Sequence, residues 1–225
     1  MTDKKDLENS SFVTKLGNLF LRKLLGKGKS GYSYLAEFNN KNFVLKLMHN
    51  ELCQYYSFGE ANKVALEIDA YDRLKRCGIL LPELLIYDTE NNYLIKEFID
   101  GKLASDSIAE NQIPGLIIKQ LFEMYRHVKD AGLNIDYFPS NFIIRNQELF
   151  YIDYECNPYD PEWDLPNWGI YYWANSEGFR KYFLEGDIML INESPETGKP
   201  LKKPYEKKVA DWIEQYGTSA KFQKF

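Results

Sequence analysis

Histidine and cysteine are scarce: of 225 residues, two are His and three are Cys. His49 and His127 give no basis for a histidine metal cluster and little for a catalytic triad. Cys53, Cys77 and Cys156 are an odd number at no metal-ligand spacing, which fits reduced thiols in a cytosolic setting. Positive charge is also in deficit. With 28 Lys and Arg against 33 Asp and Glu, the formal net charge is −5, so overall charge attracts neither nucleic acid nor an anionic membrane. No apolar run reaches the roughly 18 residues of a membrane-spanning helix, and the longest candidate, 79–87, is interrupted by Pro82 and Glu83. The first six residues are hydrophilic and mixed in charge with no apolar segment behind them, so no signal peptide is predicted and the expected location is cytoplasmic.

Aromatic residues, by contrast, are abundant. They make up 16% of the chain, including 17 Tyr and 4 Trp, and most must lie in or over a core. The length suffices for one large domain or two small lobes. Residues 1–18 are polar with weak periodicity and read as an arm or a short helix. Residues 20–25 form an apolar, strand-like run ending in Gly26-Lys27-Gly28-Lys29-Ser30-Gly31; residues 32–38 form a second strand, Asn39-Asn40-Lys41-Asn42 a turn, and 43–48 a third strand. A Gly-x-Gly-x-x-Gly between two strands can lie over phosphates because glycine removes side chains that would hold the backbone away, and it can equally be a flexible hairpin. Gly28-Lys29-Ser30 imitates the end of a P-loop, but the glycine required five positions earlier is Lys23.

Lys46 is a charge inside an apolar strand, either the solvent-facing member of an alternation or a buried functional group. Downstream, Val64, Ile68, Tyr71 and Leu74 recur at helical spacing, which predicts an amphipathic helix over 61–76 ending near Gly78. Glu67 lies beside that stripe and is the candidate partner of Lys46, with Glu60 as the alternative. Residues 84–87 and 93–98 read as two more strands. Glu97, Phe98 and Ile99 then lead to Asp100-Gly101, where the composition turns helical and a lobe boundary is expected.

In the second half, Ile117, Leu121, Met124, Tyr125 and Val128 mark a helix that ends at Gly132. Asp136 follows, then Asn141 five residues later, a hairpin of residues 142–145 and 149–152 turning at Asn146-Gln147, and Asp153 at its end. Proline density over 157–166 predicts an extended loop, 167–184 a helix, and 205–216 a terminal amphipathic helix.

Gly26-x-Gly28-x-x-Gly31, Lys46, Glu67, the 97–101 connector, Asp136, Asn141 and Asp153, in that order, resemble the protein-kinase-like superfamily over residues 20–170. The resemblance departs from regulated protein kinases: Asn134-Ile135 precedes the first Asp, Tyr154-Glu155 follows the second, Ser33 replaces a small apolar residue, and no long activation loop fits before Asp164. Ile152-Asp153-Tyr154-Glu155 with Asp164 is similar to the aminoglycoside phosphotransferase and choline kinase branch. Gly26-Lys27-Gly28-Lys29-Ser30 with Tyr34-Leu35-Ala36 resembles the RIO-type atypical kinases.

The fold implied is α+β and two-lobed. An arm (1–18) precedes an N-lobe (19–98) with a five-stranded antiparallel sheet and one helix; a small, mainly helical C-lobe (99–225) carries a catalytic β-hairpin. The resemblance implies ATP and Mg²⁺ as cofactors. Gly26, Gly28, Ser30 and Gly31 would cover the phosphates; Lys46, fixed by Glu67, would bind them; Glu97, Phe98 and Ile99 would contact adenine. Asp136 would orient the acceptor hydroxyl, and Asn141 and Asp153 would hold the metal. Asp164 and Gly169 would brace the catalytic loop. The acceptor would be a hydroxyl on a small molecule or a protein. Glu155, Asp160, Glu162, Asp164 and the aromatics at 163, 168 and 171–173 incline it toward a small cation; a RIO-like Ser/Thr protein kinase and a nucleotide-binding pseudokinase scaffold are the alternatives.

Overall fold

The structure, a computed structural model, describes residues 6–51, 59 and 61–217. Contacts divide the chain into two units, one made of residues up to Arg73 together with Pro82–Ile99, the other of Leu74–Leu81 and the residues from Asp100 onward.

The first unit is built on strands β1 (Ser10–Thr14), β2 (Gly17–Lys27), β3 (Gly31–Phe38), β4 (Lys41–Met48), β5 (Leu84–Asp88) and β6 (Tyr93–Glu97), with most of helix α1 (Lys63–Arg76). They form one antiparallel sheet in the order β1-β2-β3-β4-β6-β5. The tight β3–β4 turn follows from Asn39 and Asn40 both taking positive φ, the geometry that suits the right-handed twist of paired strands. On one face Leu19, Leu21, Tyr32, Tyr34, Leu45, Leu47, Tyr93 and Ile95 are buried, with Leu7, Phe12 and Leu16 packed against them. A smaller cluster joins Met48, Leu94 and Val64 of α1.

The sheet therefore has six strands, not the five expected. Ser10–Thr14, expected to be part of an arm, pairs with β2 in the register Phe12↔Leu19. What draws it in is the inner apolar face, where the Phe12 ring meets Tyr93 edge-on at 5.9 Å. The sheet curls far enough for the Lys15 N–H to donate to the Tyr93 hydroxyl at 2.8 Å.

The second unit contains β7 (Lys102–Leu103), α2 (Ala104–Ala109), α3 (Gly115–Asp130), β8 (Leu133–Ile135), β9 (Phe142–Arg145), β10 (Glu148–Tyr151), β11 (Cys156–Pro158), α4 (Ile170–Ala174), α5 (Ser176–Glu185) and α6 (Glu206–Tyr216). β10-β9-β7 make one small sheet and β11-β8 another. Asn146 and Gln147, both at positive φ, turn the β9–β10 hairpin. The buried face of α3, Ile117, Leu121, Phe122, Met124 and Val128, packs with Phe142, Tyr151, Ile170 and Trp173 in one core.

The single helix expected over 167–184 is instead a π-helical turn (Leu165–Gly169), α4 and α5. The break is at Asn175, 1% exposed, whose Oδ1 accepts from Gly178 N at 2.8 Å while its Nδ2 donates to the Leu190 carbonyl at 3.1 Å. A buried side chain capping the next helix cannot sit inside a continuous one. Among the described residues, no helix is long and apolar enough to cross a membrane.

Candidate functional site

In the first unit the site grows from the two-residue alternation of β4. Leu45 and Leu47 enter the curled sheet's core, which turns Lys46 to the opposite face together with Met48, the strand neighbour that packs on Val64 of α1. Lys46 is 6% exposed, so the solvent-facing alternative is excluded. A lysine so buried needs an anionic partner, and it has one: Nζ pairs with Oε1 of Glu67, itself 7% exposed. Glu67 reaches it because Val64, Glu67, Tyr71 and Leu74 share the buried side of α1. Glu60, the alternative partner, and Cys53 lie outside the described residues.

The glycine-rich segment joins β2 to β3. Its glycines differ in what surrounds them. A Cβ on Gly31 would stand 2.6 Å from the Leu47 carbonyl oxygen, so that glycine is required for β3 to approach β4. Among the described residues, Gly26 and Gly28 have neither positive φ nor any neighbour close to a Cβ beyond the Gly31 oxygen, 3.9 Å from a Cβ on Gly28. Side chains at both would meet open space. The Ser30 hydroxyl points inward and donates to Glu67 Oε1 at 2.7 Å. Glu97 ends β6, followed by Phe98 and by Ile99, which is 2% exposed and closes this unit. Backbone bonding between Glu97 N and the Glu83 carbonyl (2.9 Å) fixes the strand end.

In the second unit, β8 delivers the chain to Asp136. Its Oδ1 accepts from Phe138 N at 3.0 Å, and Asn141 Nδ2 donates to the Asp136 carbonyl at 3.4 Å. The loop is thereby folded on itself. The β9–β10 register pairs Phe142 with Tyr151, and Ile152 N extends the ladder by donating to the Asn141 carbonyl at 2.9 Å. Asn141 and Asp153 therefore stand at adjoining strand ends. With the Asn141 side-chain nitrogen turned to the Asp136 carbonyl, its side-chain Oδ1 is the atom that could face a cation. Among the described residues no group of three or more His, Cys, Asp or Glu forms a metal cluster. An amide oxygen and a carboxylate are hard donors of the class that could hold a cation such as Mg²⁺.

Electrostatics mark the same place. Burial pushes the Tyr151 phenol well above its ordinary range, and the charges of Asp153, Asp136 and Glu155 push it further. Tyr172 is displaced upward by burial and then by Asp136 and Glu193. Both phenols thus sense the charge of Asp136.

The supports of this loop are specific. Asp164, 1% exposed, accepts from Asn167 N (2.9 Å), Tyr125 Oη (3.1 Å) and Tyr159 Oη (2.9 Å). A Cβ on Gly169 would overlap Tyr137, the residue after Asp136, and Trp173 Nε1 donates to the Tyr137 carbonyl at 2.9 Å. Asn134, in β8, donates to the Asp160 carbonyl at 3.1 Å and keeps a buried, unpartnered Oδ1.

The aromatic segment expected to surround a cation is largely committed elsewhere. Tyr172 and Trp173 are buried in the core, Lys202 Nζ lies 5.3 Å from the Tyr171 ring, and Glu162 pairs with Lys199 at 2.9 Å. Trp163, 36% exposed, stacks edge-on against Trp168 at 5.8 Å. Sequence reasoning missed the Ser30 to Glu67 bond. A lone hydroxyl among glycines carries no periodic signal.

No family model matches the chain. Over 145 residues it is 28% identical to Aurora kinase A-A and 29% identical to Aurora kinase A-B, both of Xenopus laevis. Each match covers 61% of this chain and 35% of the relative, so the chain spans about a third of the length of these curated relatives. Part of the chain is thus similar, at a distance, to these kinases.

Proposed function

We propose that the protein is an ATP- and Mg²⁺-dependent phosphotransferase that moves the γ-phosphoryl group to a hydroxyl. The observation that carries this reading is the buried Lys46–Glu67 pair beside a glycine-rich turn with open space at the Cβ positions of Gly26 and Gly28 among the described residues. An ammonium is a donor suited to a phosphate, and glycine removes the side chains that would hold a backbone away from one. Similarity to kinases supports the same chemistry.

In this reading Gly26, Gly28, Ser30 and Gly31 lie over the phosphates through their backbone, Lys46 donates to phosphate oxygens, and Glu97, Phe98 and Ile99 bind the adenine edge. Asn141 and Asp153 hold the ion. When bound, the nucleotide supplies the transferable phosphoryl group and the ion neutralises its charge. Asp136 orients the acceptor hydroxyl and takes its proton as the acceptor O–P bond forms and the bridging P–O bond breaks. Glu155 and Asp160 favour an acceptor that carries a positive charge, as in the aminoglycoside and choline kinase branch. A second reading, a RIO-like Ser/Thr protein kinase, is favoured by one observation: Lys199 and Lys202 already occupy Glu162 and Tyr171, two of the groups a small cation would use.

Incubation with γ-labelled ATP, with protein substrates and with a panel of amino-alcohols and aminoglycosides tests both readings. Label is expected on a small amine, and label on protein selects the second reading. Nucleotide binding without any transfer would reject catalysis and leave a pseudokinase scaffold. Asp136→Ala is expected to lower transfer by about 10²–10⁴-fold, the usual size of a proton-transfer contribution, with nucleotide binding retained; undiminished turnover would reject that role.

A further inference from the structure

Glu67 is held from two sides, and the second side is the glycine-rich loop. Ser30 Oγ donates to the same Oε1 that pairs with Lys46 Nζ. All three side chains are buried, at 8%, 7% and 6% exposure for Ser30, Glu67 and Lys46, while Glu67 Oε2 is buried without a partner. A hydroxyl has one proton to give, and here it goes to Glu67, so Ser30 has no side-chain donor left for a phosphate. Its contribution to the carboxylate is geometric. A carboxylate held by one flexible lysine can turn about its last torsion and exchange its oxygens; a second donor on Oε1 selects one orientation.

The donor is itself rigidly placed. Ser30 O accepts from His49 N at 3.1 Å, and Gly28 N donates to Gly31 O at 2.9 Å. His49 Nδ1 accepts from Glu51 N at 3.2 Å, which leaves Nε2 as the protonated nitrogen facing the Gly28 carbonyl at 3.1 Å. The loop is therefore clasped to the end of β4 at two carbonyls, and the Ser30 hydroxyl passes that fixed position on to Glu67.

We infer that Ser30 is a positioning residue: through Glu67 it sets where the Lys46 ammonium stands, coupling the glycine-rich loop to the ion pair. This rests on the phosphotransferase reading for its catalytic consequence, but its physical content concerns Lys46 itself. The test combines two readouts on Ser30→Ala and Ser30→Thr in the full chain. Labelling of Lys46 by an amine-reactive reagent, followed by peptide mass spectrometry, reports the hold on the ammonium without any turnover. Ser30→Ala is expected to speed it about tenfold, the size of one charge-assisted hydrogen bond, and Ser30→Thr to restore it. In the transfer assay Ser30→Ala is expected to lower kcat/KM for ATP by a similar factor, with Thr rescuing it and with no further loss when added to Glu67→Gln. Unchanged Lys46 labelling in a folded Ser30→Ala protein overturns the inference. Accelerated labelling in a protein without transfer activity sustains the positioning role and rejects the phosphotransferase reading instead.

Discussion

Three glycines within six residues look alike in the sequence and sit in different physical situations. Gly31 is closed in by the β4 backbone, with the Leu47 oxygen 2.6 Å from where a Cβ would be. Backbone cannot move aside as a flexible side chain can, so Gly31→Ala is expected to cost about 1–3 kcal/mol of unfolding free energy, the range for overpacking. Gly26 and Gly28 face open space at ordinary φ. Alanine there should change stability by less than about 0.5 kcal/mol while weakening nucleotide binding, because the methyl group occupies space a phosphate would use. Urea unfolding and calorimetric ATP titration on the same three variants separate the two effects. Equal loss of stability at all three positions, or unaltered binding at Gly26 and Gly28, would contradict the assignment of the open space at those two glycines to a ligand.

Among elements, the β1–β2 hairpin shows how a segment of weak pattern is held by distant partners. Beyond Phe12 on Tyr93, Lys15 Nζ pairs with Asp88 at 3.3 Å and donates to the Tyr87 carbonyl at 3.2 Å. Asp88 is in turn fixed by the β5–β6 turn. The Asn91 N–H, then the Asn91 amide, then Lys15 hold its carboxyl down from 3.8 to about 2. A carboxyl with a depressed folded pKa stabilises the fold above its ordinary value and loses that contribution as pH falls through the folded one. Asp88→Asn is therefore expected to lower the melting temperature at neutral pH, and the gap from the parent protein to close between about pH 3.8 and about 2. A gap independent of pH would mean that Asp88 acts through shape alone. These contacts explain why β1 was not legible: of the two large apolar residues in Ser10–Thr14, Val13 is exposed and Phe12 meets Tyr93, some eighty positions away. Hairpins with a local code were legible, as Asn39-Asn40 and Asn146-Gln147 show. The break at Asn175 was hidden because aromatics on both sides of it mimic one continuous apolar stripe.

Across the whole molecule, legibility of the candidate site divides in the same way. Asp136, Asn141 and Asp153 could be brought together on paper because one hairpin with a two-residue turn fixes their register. Lys46 with Glu67 was legible only as a pairing between a strand and a helical stripe, with Glu60 as a competitor. The Ser30 bond to Glu67, 37 positions apart, was not legible at all. The phosphotransferase reading assigns phosphates to the groups around Lys46 and the ion to Asn141 and Asp153, so its test is a ligand offered to the full chain. A ligand that binds only the folded state at about one hundred times its Kd adds about 2.7 kcal/mol. For a chain of this length that is a rise in melting temperature of roughly 5–10 °C. Mg²⁺ with ATP is expected to produce such a rise, and EDTA to reduce it. Asp153→Ala should abolish the part that depends on Mg²⁺ and keep the part due to nucleotide alone, whereas Lys46→Ala should remove most of both, since a phosphate loses its buried cation. If EDTA and Asp153→Ala leave the shift unchanged, Asn141 and Asp153 do not hold a metal, and nucleotide binding must be explained by the groups around Lys46 alone.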